Sequence, residues 1–138
     1  MDKKNKKVAV VACSGIGKTL GALSREITYE LIERVKPRSA VTTCLGLVVS
    51  GDPEAVKLVT ENPVITIDGC AKECSKKSTL AQGGKVSRSF QTMDFMKKHK
   101  GLKPDGISEL NEAGQKLASL AADDLGEVVD ELINQEGK

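Results

Sequence analysis

Aromatic residues are nearly missing from this sequence. There is no tryptophan, and Tyr29, Phe90 and Phe95 are the whole complement in 138 residues. Single-stranded nucleic acid is held by bases stacking on aromatic faces, and no such platform can be assembled here. Strong basic charge is missing too: the net charge is +2, and no nucleic-acid partner is expected from it. The lysines of the 1–6 tail read as solvated charge. Apolar runs are short, none approaching the ~20 residues of a membrane-spanning helix, so no membrane partner is expected. The basic start leads only into Val8–Ala12, too brief for the apolar region of a signal peptide, and the expected location is cytoplasmic. Histidine occurs once, as His99 within Lys97-Lys98-His99-Lys100, a basic stretch that reads as surface. No Ser-His-Asp arrangement and no spaced carboxylate pair stands out, and no catalytic residue is assigned.

What is present is the pattern of a small α/β protein, with 39% hydrophobic and 29% charged residues. After the basic tail 1–6, residues 7–138 read as one domain. Val8–Ala12 is a continuous apolar run, as a fully buried strand would be. The turn Cys13-Ser14-Gly15-Ile16-Gly17 follows, and then Leu20, Leu23, Ile27, Leu31 and Val35 recur at steps of three and four, the apolar stripe of a helix that Pro37 stops. A second strand is expected over 39–44, although the apolar residues 45–49 could extend it. Asp52-Pro53 marks a helix start, with an N-cap followed by proline at the first helical position. Asn62-Pro63 and Asp68-Gly69 bracket a third strand, and a helix is expected from about 70 to 82, ending on Gly83-Gly84. Residues 85–92 suggest a fourth, edge strand, 93–100 one or two helical turns, and 108–134 a long amphipathic helix. Gly114 and Gly126 each cost that helix roughly 1 kcal/mol. The expected fold is a small three-layer sandwich: a mostly parallel sheet of three to four strands with helices on both faces, the last helix covering one of them.

There are four cysteines. With no signal peptide and an α/β pattern, reduced thiols serving metal or redox chemistry are expected in preference to disulfides. Their placement is regular. Cys13 follows the first strand, Cys44 follows the second if that strand stops there, and Cys70 and Cys74 follow the third. Parallel strands joined by right-handed crossovers present their C-terminal ends on one side, where ligands of open α/β sheets bind. Positions 70 and 74 would share one face if a helix begins near Cys70. Four thiols on one edge can form a tetrahedral thiolate site. The alternative is that each cysteine is simply a small core residue.

The tripeptide Asp68-Gly69-Cys70, with Cys74 shortly after and with Val-Ala-Cys13-Ser-Gly and Cys44-Leu upstream, resembles the DGC family, which takes its name from that tripeptide. The resemblance runs from about 8 to 84. It implies a zinc-binding protein with four chelating cysteines, Cys13, Cys44, Cys70 and Cys74, zinc as cofactor and a metal ion as partner. Asp68 is expected to cap the helix after it or to accept a hydrogen bond from a loop, since four sulfurs already fill a tetrahedron.

Two other readings use the same edge. The cysteines could instead serve a thiol redox or thiol-transfer enzyme. Alternatively, residues 12–19 approach the phosphate loop G-x4-G-K-[ST], making Ser14, Gly15, Gly17, Lys18 and Thr19 a candidate anion-binding loop of a nucleotide-binding protein. Ala12 stands where that loop needs its first glycine, Cys13 lies inside it, and ATP and GTP are not expected to bind. A cysteine-phosphatase loop needs an arginine where Thr19 stands.

Overall fold

The structure is a computed structural model and describes residues 7–69 and 71–136. The expectations for the 1–6 tail and for Cys70 itself lie outside the described residues. Four strands, β1 (Val8–Ala12), β2 (Ala40–Thr42), β3 (Pro63–Asp68) and β4 (Lys85–Gln91), form one parallel sheet in the order β2-β1-β3-β4. The helices are α1 (Thr19–Glu30), α2 (Leu45–Ser50), α3 (Pro53–Glu61), α4 (Cys74–Ala81), α5 (Thr92–Lys98) and α6 (Glu112–Glu136).

The buried strands alternate between two cores. Val8, Val10, Ile65 and Ile67 face α1, α5 and α6, where Leu23, Ile27, Leu31, Phe95, Leu117 and Leu125 close the larger cluster. Ala9, Val11 and Val64 face the other way, onto Leu45 and Val48 of α2 and Ala55 and Val59 of α3. Helices therefore cover both faces, as expected from the apolar runs of β1 and β3.

The apolar stripe of the first helix is confirmed at Leu23, Ile27 and Leu31, all fully buried. The five residues that continue it, Leu31–Val35, form a π-helical turn, with the Lys36 N–H bonded to the Leu31 carbonyl at 2.8 Å. That turn is tied to α6: Arg34 reaches Asp123 at 3.1 Å and Lys36 reaches Asp130 at 2.8 Å. Gly126 of α6 lies against it, and a Cβ there would come within 2.7 Å of Val35 Cγ1. The glycine that weakens α6 as an isolated helix is what lets the two helices meet.

Several boundaries differ from expectation. β2 is only Ala40–Thr42, because α2 begins at Leu45 with Cys44 as its N-cap. The last helix starts at Glu112 instead of 108, since Asn111 accepts the Gly114 N–H at 2.8 Å in the manner of an N-cap. The helix after β3 starts at Cys74 instead of 70, as Ala71 and Lys72 form a turn and Glu73 takes a left-handed backbone with φ 53°. The one-face argument for positions 70 and 74 therefore does not hold. His99 is not surface decoration: it is 20% exposed and pairs with Asp124 at 2.8 Å, fastening the end of α5 to α6. Asp52 caps α3 as expected, accepting the Ala55 N–H at 3.1 Å. Among the described residues no helix is long and apolar enough to cross a membrane.

Candidate functional site

The sheet order puts β1 between β2 and β3. From β1 the chain passes over one face through α1 to β2, then over the other through α2 and α3 to β3. The crevice where such paths diverge, at the strands' C-terminal ends, is where open α/β sheets bind ligands. Cys13 stands at that point. Its N–H donates to the Ile67 carbonyl at 3.0 Å, extending the β1–β3 ladder by one residue. Its sulfur accepts the Gly69 N–H at 3.1 Å and lies 3.4 Å from the Ser24 hydroxyl of α1. The thiol is buried, and the residue that donates to it immediately precedes Cys70.

Three glycines make this corner possible. Gly15 has φ 50°, and its Cα and carbonyl lie against the backbone of Gly21 in the first turns of α1. A Cβ on Gly21 would fall 2.4 Å from the Gly15 carbonyl oxygen, and one on Gly69 would fall 2.9 Å from the Gly21 nitrogen. Three chain segments thus meet backbone to backbone beside the Cys13 sulfur, a packing that no residue with a Cβ allows without displacement. Gly15 was legible as a turn residue and Gly69 as a strand terminator. Gly21 has a weaker signature, a glycine inside a helix, which costs about 1 kcal/mol and so points to a packing reason.

Cys44 lies at the end of β2 and is exposed. It shares with Cys13 a cavity of about 430 Å³ between the end of the sheet and α1, whose walls also include Arg25, Thr28, Tyr29 and Thr43. The Arg25 guanidinium donates to the Ser14 carbonyl, closing one side of the loop after β1.

Asp68, the buried last residue of β3, takes the capping role expected for it, but in a shifted place. Its two carboxylate oxygens accept the N–H groups of Ser75 at 2.7 Å and Lys76 at 3.1 Å, in the first turn of α4. The adjacent Glu73 supplies no side-chain cap. Burial pushes the Asp68 carboxyl above the usual carboxylate range and nearby Glu73 adds to this, while the two N–H donors and Lys76 oppose it. The Ser75 hydroxyl donates to the Val11 carbonyl at 2.7 Å, so the start of α4 is pinned to the ends of both β1 and β3. Cys74, exposed, is its first residue.

Cys13, Cys44 and Cys74 thus all lie at the C-terminal edge. They are free thiols, but no three His, Cys, Asp or Glu side chains among the described residues gather into a ligand set. The glycine-rich loop also falls between strand and helix as expected. Within it the Lys18 N–H donates to the Gly15 carbonyl at 3.0 Å, and Ser14, Gly17 and Lys18 are exposed.

No curated protein and no solved structure matches the chain. The family model of the DGC domain matches residues 9–120, extending from the first strand into the long C-terminal helix and past the segment that carries the cysteine motifs. By that match, the chain belongs to the DGC domain family.

Proposed function

We propose that this chain binds zinc through thiolates at the C-terminal edge of its sheet and exchanges that ion rather than using it as a structural staple. The observation that carries the reading is the Cys13–Gly69 contact. A buried sulfur accepts an N–H at 3.1 Å across the β1–β3 switch point, one residue ahead of Cys70. Backbone N–H donors to sulfur orient and support a metal-bound thiolate in the way outer-shell partners do at metal sites generally. The donor chemistry fits a soft divalent ion: Cys13, Cys44 and Cys74 are free thiols at one edge, and sulfur ligands select zinc over hard cations. Cys13, Cys44, Cys70 and Cys74 would hold the ion. When bound, zinc would supply a closed or partly open thiolate centre.

The exchange half of the reading rests on the two cores. Both faces of the sheet are closed by apolar side chains of the strands and the helices packed on them, so the fold has its own support. Structural zinc sites, in contrast, contribute on the order of 10–16 kcal/mol to folding in small zinc-finger peptides.

Metal analysis of protein purified under reducing conditions, with thiol titration before and after chelation, tests the reading. About one zinc per chain is expected, with thiols released on chelation. Cys70→Ser or Cys74→Ser should abolish tight zinc binding while circular dichroism and the melting temperature change little. No zinc at all refutes binding, and cooperative melting on chelation refutes exchange.

A further inference from the structure

The cavity beside Cys44 contains chemistry that zinc binding does not use. Arg25 is the one charged residue in its wall, and it enters no salt bridge among the described residues. One Nη1 donor is committed to the Ser14 carbonyl, which holds the planar head at the cavity and leaves further N–H donors of the fork. Such a fork fits a carboxylate. The same cavity is lined by Cys44, an exposed thiol, and by Thr43 and Tyr29. At about 430 Å³ the space is in the range of small-molecule sites. A small ligand that engages both residues carries a carboxylate and a sulfur in one molecule.

We propose that this cavity binds small carboxylate-bearing disulfides, with the carboxylate on Arg25, and that Cys44 exchanges with them. In the step, the Cys44 thiolate attacks the nearer sulfur of the bound disulfide. A new bond forms between the Cys44 sulfur and that half, the original S–S bond breaks, and the other half leaves as a thiolate that takes a proton from water. One disulfide is consumed and one is formed, so the step needs no further oxidant. Arg25 is a positioning residue that does not touch the reacting sulfurs. The proposal goes beyond the zinc reading and does not depend on it, although both involve the Cys44 sulfur.

The test uses the full chain, reduced and freed of metal, with site-resolved mass spectrometry of mixed disulfides. The probes are 3,3′-dithiodipropionate and the uncharged 2-hydroxyethyl disulfide. Cys74, exposed at the start of α4 and absent from the cavity wall, is the internal control. At Cys44 the carboxylate probe should react about tenfold faster than the uncharged one, the order expected for a charge-assisted hydrogen bond. At Cys74 the ratio should be near one. Arg25→Gln should bring the Cys44 ratio towards one, and Arg25→Lys, which keeps the charge, should retain part of it. The proposal is overturned by an equal rate for both probes at Cys44, by the same preference at Cys74, or by a preference that survives Arg25→Gln. Zinc titration of the unsubstituted chain is read separately: failure there with the Cys44 preference intact removes the zinc reading alone.

Discussion

Asp68 should be the residue on which the start of α4 depends, and the dependence can be sized. Its carboxylate accepts two N–H groups, from Ser75 at 2.7 Å and Lys76 at 3.1 Å, and Ser75 is fully buried. Asp68→Ala removes both acceptors at once. Loss of an N-cap costs about 1 kcal/mol and at most about 2, and a buried donor left without a partner adds about 1–3 kcal/mol. A total of roughly 2–5 kcal/mol corresponds to a fall in melting temperature of about 6–20 °C for a domain of this size. Asp68→Asn has one oxygen left to keep the Ser75 bond, but turns an amide NH2 towards the Lys76 N–H, so about half that loss is expected. Thermal melts of the three proteins should therefore rank wild type, Asn, Ala. Amide hydrogen exchange at Ser75 and Lys76 should accelerate in the Ala variant more than at the β4 amides. An Ala variant as stable as wild type, or one more stable than Asn, would refute the capping account.

The glycine contacts give a second comparison. Gly21→Ala should be far more damaging than Gly17→Ala, because a Cβ at 21 meets the Gly15 carbonyl oxygen at 2.4 Å while one at 17 meets nothing within 4 Å. Gly17→Ala should cost only the left-handed backbone penalty of about 1–2 kcal/mol, and equal losses in denaturant melts would show that the corner can relax. Two neighbouring carboxylates of α1 should show opposite pH behaviour. Burial, with Glu30 and Glu33 nearby, raises Glu26 above its usual range. Its contribution is present below the unfolded pKa and lost as pH rises through the folded one, so Glu26→Gln should be relatively stabilising near neutrality and lose that advantage on acidification. Glu30 is lowered, first by its hydrogen bond to Arg34. Its contribution is present above the unfolded pKa and lost as pH falls through the folded one, so Glu30→Gln should be destabilising near neutrality and indistinguishable from wild type in acid. Melts of both variants from about pH 3 to pH 7, spanning the ordinary glutamate range, would expose a wrong sign in either.

The sheet was legible because its signals are local and strong. Val8–Ala12 and Pro63–Asp68 are short apolar runs with turn residues at their ends, and the structure pairs them in parallel. Asp52-Pro53 fixed a helix start because cap and proline lie side by side in sequence. The cysteine edge was only partly legible, because its decisive contacts are between distant segments. Cys44 sits at a strand end since β2 stops after three residues, a choice that the apolar residues 45–49 left open. The start of α4 was misplaced for a definite reason. Asp68 caps N–H groups seven and eight residues on, across the turn at Ala71-Lys72 and the left-handed Glu73, and not those of a helix that begins beside it. A local cap has a sequence signature of fixed spacing, but a cap supplied by the end of a strand has none.

The start of α4 at Cys74 changes how the thiols are held. Had the helix begun at Cys70, Cys70 and Cys74 would have been a preformed pair on one helical face. Instead Cys74 is carried by α4, which is anchored to the sheet through Asp68 and Ser75, while Cys13 is held by the glycine corner through Gly69. Cys44 belongs to a third support, the N-terminus of α2. Each of the three sulfurs among the described residues, Cys13, Cys44 and Cys74, is thus positioned by a different element. An ion shared by such thiols would bridge separately anchored segments, and on the proposed reading its release would leave the apolar contacts of both cores in place. This is the physical ground for expecting zinc to exchange without unfolding the chain.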